Sequence, residues 1–131
     1  MVEYPENKRA ANGVAIVGLV ASIAIFFLIG ATEREPTPIV PMNYALERGA
    51  DNWTLSVRDA FLRDAANQWP MTRAQQQARV RQGTLNWRPP EGQCRYLSQF
   101  IDVVEHYGLD SDDREMARLK AQRQRCYTQF Q

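Results

Sequence analysis

No residue between Ala10 and Thr32 carries a charge, and this run constrains the chain more than any other feature. From Val14 to Ala31 every residue is apolar or small, with Ser22 the only hydroxyl. At about 1.5 Å per residue a helix over residues 10–32 spans roughly 34 Å, enough for a hydrocarbon core of about 30 Å. A helix satisfies its own backbone there, so residues 10–32 are expected to form a transmembrane helix. Ile29-Gly30-Ala31 also reads as a passable signal-cleavage site. The apolar run is long for a cleaved signal core, so a retained anchor is the expectation. Lys8 and Arg9 precede the run and Glu33-Arg34-Glu35 follows it. By the positive-inside rule, residues 1–9 are expected as a cytoplasmic tail and everything beyond the helix outside. The expected location is a bacterial inner (plasma) membrane, single-pass, with the C-terminal part periplasmic or otherwise extracytoplasmic.

Residues 33–42 contain Pro36, Pro38 and Pro41 and predict a stiff, extended linker. Residues 43–131 then read as helices, so the expected class is all-α: one N-terminal transmembrane helix plus a small helical domain. Asn43 to Arg48 suggests a helical turn stopped by Gly49. Thr54 or Ser56 can cap the next helix, on which Val57, Phe61, Ala65 and Trp69 fall near one face. Thr72-Arg-Ala-Gln75 has the shape of a capping box, and Gly83 can end the helix it starts.

The segment 94–130 carries a clear αα-hairpin pattern. Cys94, Leu97, Ile101 and Val104 recur at helical spacing, as do Met116, Leu119, Arg123 and Cys126, and Gly108-Leu-Asp-Ser-Asp-Asp lies between them. Folded about residue 110, Cys94 meets Cys126, Leu97 meets Arg123, Ile101 meets Leu119, and Val104 meets Met116. With a location outside the cytoplasm, that symmetry predicts a disulfide between Cys94 and Cys126.

Little in the chain points to chemistry. A net charge of +1 gives no reason to expect nucleic-acid binding. His106 is the only histidine, and near a helix C-terminus it is expected to cap or face solvent. Asp110, Asp112, Asp113 and Glu115 do not match a calcium loop and read as a negative helix start. No catalytic residue, metal ligand, cofactor or small-molecule substrate is therefore expected. Asn52-Trp53-Thr54 is a glycosylation sequon, a short motif that arises often by chance.

Two surfaces suggest interaction instead. Ala11, Ala15, Gly18 and Ser22 share one face of the apolar helix, where small residues let a partner helix approach closely. Trp69, Arg73, Arg79, Arg81, Trp87 and Arg88 form a stretch without acids, expected as a surface for a partner or for lipid headgroups. These features predict an accessory, assembly or stabilising subunit of an integral membrane protein complex. The alternative is a tethered envelope factor that binds or inhibits a soluble partner.

Overall fold

The computed structural model of the chain describes residues 33–129. The expected tail, transmembrane helix and small-residue face at Ala11, Ala15, Gly18 and Ser22 lie outside the described residues. Residues from Arg34 onward form one unit. Its elements are β1 (Glu35–Pro38), α1 (Met42–Leu46), α2 (Leu55–Arg63), β2 (Gln68–Met71), α3 (Arg73–Gln82), α4 (Gln93–His106) and α5 (Asp113–Gln129), with 3-10 turns at Ala50–Asn52 and Ala65–Asn67.

The all-α expectation is corrected to a mostly helical fold with a small sheet. The expected linker is its first strand: β1 pairs antiparallel with β2, placing Glu35 opposite Met71, Pro36 opposite Pro70, Thr37 opposite Trp69 and Pro38 opposite Gln68. Proline has no N–H, so Pro36 and Pro70 can face each other only at a non-hydrogen-bonded position of the ladder. Pro38, two residues on, falls in the same phase. The ladder continues one step further, where the Ile39 N–H donates to Asn67 O at 3.0 Å. Ile39 and Val40 are then fully buried, which anchors the segment that the sequence suggests as a spacer.

Asn67 terminates the ladder with its side chain. It is completely buried. Its Oδ1 accepts from the Val40 N–H at 2.8 Å, and its Nδ2 donates to Val40 O at 3.3 Å and to Phe61 O at 3.1 Å. The amide thus stands in for one more strand residue while satisfying a carbonyl near the end of α2.

Local signals place several helix ends. Thr54 caps α2, accepting from the Val57 N–H, and α2 stops at Arg63. Val57 is exposed, so the expected apolar face from Val57 to Trp69 breaks: Phe61 points inward and Trp69 belongs to β2. Thr72 and Gln75 form the predicted capping box on α3. Gly108, at φ 61°, ends α4 in a left-handed turn: its N–H donates to Glu105 O and that of Leu109 to Val104 O, so two terminal carbonyls are satisfied. Asp112, just beyond Asp110 and Ser111, either of which the sequence offers as the helix start, begins α5 by accepting from the Arg114 N–H at 3.1 Å.

The predicted hairpin is present. Cys94 and Cys126 are disulfide-bonded. α4 is the centre of the fold, burying Tyr96, Leu97, Phe100, Ile101, Val103 and Val104. α5 buries only Leu119, with Met116 partly covered. Polar contacts supplement that thin apolar seam. Arg48 grips Glu115 with two bonds of 3.0 and 2.6 Å while lying 3.5 Å over the Tyr44 ring, and the Tyr44 hydroxyl donates to the same carboxylate. Lys120 meets Glu105 at 2.8 Å across the hairpin.

Asn67→Ala leaves the buried Val40 N–H without its acceptor, and is expected to lower the unfolding free energy by about 3 kcal/mol in denaturant melts. Asn43→Ala, at an exposed position, is the control and is expected to have little effect. Replacing both cysteines by serine removes a cross-link across 32 residues and is expected to cost about 3–4 kcal/mol in the same assay.

Candidate functional site

The six residues expected as one partner surface separate in space. Trp69 and Trp87 are buried at 6% and 4% exposure. Each packs edge-on against Tyr96, with ring centroids 5.3 and 5.5 Å apart. Arg79 is also buried; its Nη1 donates to Pro38 O at 2.7 Å and Ile39 O at 3.2 Å, and the Tyr96 hydroxyl lies 3.5 Å away. Prolines remove donors from β1 but leave its carbonyls in need of partners, and Arg79 supplies them. Burial raises the Tyr96 pKa, with the Arg79 cation opposing that shift. Arg73 and Arg81 remain exposed on α3, beside a strongly exposed Val80. The expected surface is therefore corrected: three of its six members are core. The sequence hides this because residue 80 is apolar and residue 79 is charged, the reverse of their burial.

Arg88 takes part in a different arrangement. The loop before α4 and the last turns of α5 enclose a groove of about 350 Å³ beside the disulfide. Asn86, Arg88, Gln93, Gln122, Arg125 and Gln129 supply its polar lining, and none of the described residues that line it is a carboxylate. The half-buried Arg88 is held from both ends, its Nη1 donating to Trp87 O at 2.8 Å and its Nη2 to Gln122 Oε1 at 2.7 Å. Burial lowers the pKa of this guanidinium. Two of its five N–H donors are thereby spent. Gln122 and Arg125 come from α5, more than thirty residues away, so only the hairpin brings this set together. Gly92, at φ 71°, starts α4 within the same loop; a Cβ there would stand 3.2 Å from the Trp69 ring, closer than ordinary contact, and any side chain would be strained at that φ.

A second cleft, of about 520 Å³, contains Asp64, Gln99, Asp102, His106 and Tyr107. The Tyr107 hydroxyl donates to Asp64 Oδ2 at 2.6 Å, and the other oxygen of Asp64 accepts from the Ala66 N–H at 2.9 Å. The Tyr107 hydrogen bond, then that of Ala66, holds Asp64 below its ordinary 3.8. Burial, with the Asp64 bond adding to it, pushes Tyr107 from 10.0 up to about 12. His106 is exposed on the last turn of α4, its ring 5.1 Å from that of Tyr107. Among the described residues no three His, Cys, Asp or Glu side chains converge as metal ligands. Asn52 of the sequon is exposed in the turn before α2.

No protein-family profile matches the chain, and no solved structure matches it. A protein of Arthroderma benhamiae described as an uncharacterized secreted protein is 32% identical over 100 residues, which is 73% of this chain and 49% of the relative. The chain thus spans about half the length of that relative. The expected placement in a bacterial inner membrane is corrected by this finding: the relative is secreted, and no helix among the described residues is long and apolar enough to cross a membrane. An anchor and a secretion signal both require an apolar run, so the composition of residues 10–32 is compatible with a signal peptide.

The Tyr107–Asp64 pair has a pH signature. Because the folded pKa of Tyr107 is raised, its contribution is fully present below pH 10.0 and is lost as pH rises toward 12. Melting temperatures measured across that window are expected to fall for the native chain and to fall less for Tyr107→Phe. The decline that remains in the variant belongs to Tyr44 and Tyr96, whose pKa values burial also raises.

Proposed function

We propose that this chain is an extracellular, non-catalytic binding domain that recognises a soluble partner through the groove beside the Cys94–Cys126 disulfide. The observation that carries this reading is the composition of that groove: two arginines and four side-chain amides around a recess next to a covalent cross-link. Donors held in fixed positions lose little freedom when they bind, which favours recognition. The arrangement holds and orients groups, as an interaction module requires. A membrane-complex subunit would rely on the helix face of residues 11–22, which lies outside the described residues, and on the membrane placement corrected above. The soluble-partner reading needs neither.

A photo-cross-linking residue at Gln129, on the exposed rim of the groove, tests this. Irradiated in the medium into which the protein is secreted, that variant is expected to give an adduct of discrete mass that excess unlabelled protein suppresses. The same residue at Asp59, exposed on α2, is expected to give none. Equal labelling from both positions, or none from either, overturns the reading.

A further inference from the structure

Arg88 stands out among the arginines of the domain. It is half-buried, which is costly for a cation, yet among the described residues no carboxylate lies within ion-pair distance of it. Arg48, also partly buried, has Glu115 clamped in a two-bond grip. Arg88 instead has a carbonyl and an amide oxygen, both neutral. Those two bonds fix its plane and leave three N–H donors uncommitted to the described residues. Arg125, exposed on α5, lines the same recess, and the other polar lining groups are the uncharged amides of Asn86, Gln93, Gln122 and Gln129. The recess therefore collects positive charge and hydrogen-bond donors in an open groove with ample room for a small anionic group.

We infer that this groove is an oxyanion site: Arg88 and Arg125 together bind a carboxylate, sulfate or phosphate group carried by the partner, with the amides donating to its remaining oxygens. The inference rests on the binding reading above and adds the chemistry of what is bound. Planar guanidinium groups match such oxygens in pairs, and the partial burial of Arg88 makes its charge-assisted bonds stronger than at an open surface. Arg88 is the preset member, already held by Trp87 and Gln122. Arg125 is the exposed member, free to close over an arriving anion.

The test is a titration of the full chain followed by the Nε–Hε resonances of its arginines. Sodium sulfate and sodium acetate are added separately, with ionic strength held constant by sodium chloride. A saturable shift of Arg88 and Arg125, absent at Arg81 on α3, is the expected result. Saturation by sulfate alone assigns a sulfate or phosphate ester; saturation by acetate alone assigns a carboxylate; saturation by both assigns a general oxyanion site. Arg125→Gln, at an exposed position, is expected to weaken half-saturation about tenfold, and Arg81→Gln to leave it unchanged. Arg88→Gln is expected to abolish the response, with near-ultraviolet circular dichroism reporting whether the fold survives. Shifts that never saturate, or saturation that persists unchanged in Arg125→Gln, overturn the inference. If the Gln129 cross-link forms while no anion saturates Arg88, binding stands and the anionic ligand falls. If an anion saturates Arg88 but no cross-link forms, the site stands and the soluble partner falls.

Discussion

The fold depends on one buried amide. The sheet has only two short strands, and three of their eight residues are proline, so the ladder alone offers few bonds. Asn67 extends it by one step with a side chain, binding both polar groups of the Val40 backbone and a carbonyl near the end of α2. A side chain with an acceptor and two donors is required there; leucine or aspartate would leave a buried group unpaired. Through this residue the segment carrying Ile39 and Val40 is held in the core, and β1, β2 and α2 meet at one point.

The other end of the domain is held by different means. α5 contributes few apolar contacts, and a helix with so narrow a buried face needs additional ties. The disulfide holds it to α4 at the open end of the hairpin. Glu115 holds it to Arg48 and Tyr44 near the closed end. Ion pairs with partial burial offset desolvation against Coulomb attraction, and their clearest effect is to select one arrangement. Together these ties set the helix that carries Gln122 and Arg125 against the loop carrying Arg88, which is why the groove has a defined backbone frame.

The hairpin was legible in the sequence because its signals are local and agree: apolar spacing of three and four, a glycine stop, acids in the first turn, and cysteines symmetric about the turn. The capping box at Thr72 and Gln75 was legible for the same reason. The strands were not. Their partners lie thirty or more residues apart, and alternating prolines read as an extended spacer when the opposite strand is unknown. The burial of Arg79 is hidden in the sequence because a charged side chain in a helix ordinarily faces water, and the carbonyls that draw it inward belong to Pro38 and Ile39, about forty residues earlier. Of the groove's polar lining only Arg88 belongs to the surface expected from the sequence; Gln122, Arg125 and Gln129 sit on α5 and become its neighbours only through the hairpin.

The prolines of the sheet have a consequence beyond their own pairing. At non-hydrogen-bonded positions the backbone groups of a strand point away from its partner, toward the open edge. On β1 those positions are Pro36 and Pro38, which have no N–H; the outward carbonyl of Pro38 is capped by Arg79. On β2 they are Pro70, which has none, and Gln68, whose N–H turns back to Ala65 O. The ladder therefore presents no free donor to a third strand. A two-stranded sheet left open would be a template for strand addition between copies. This one is closed to its own kind by composition: two copies meeting edge to edge bring acceptors to both sides of the seam and no donor to join them.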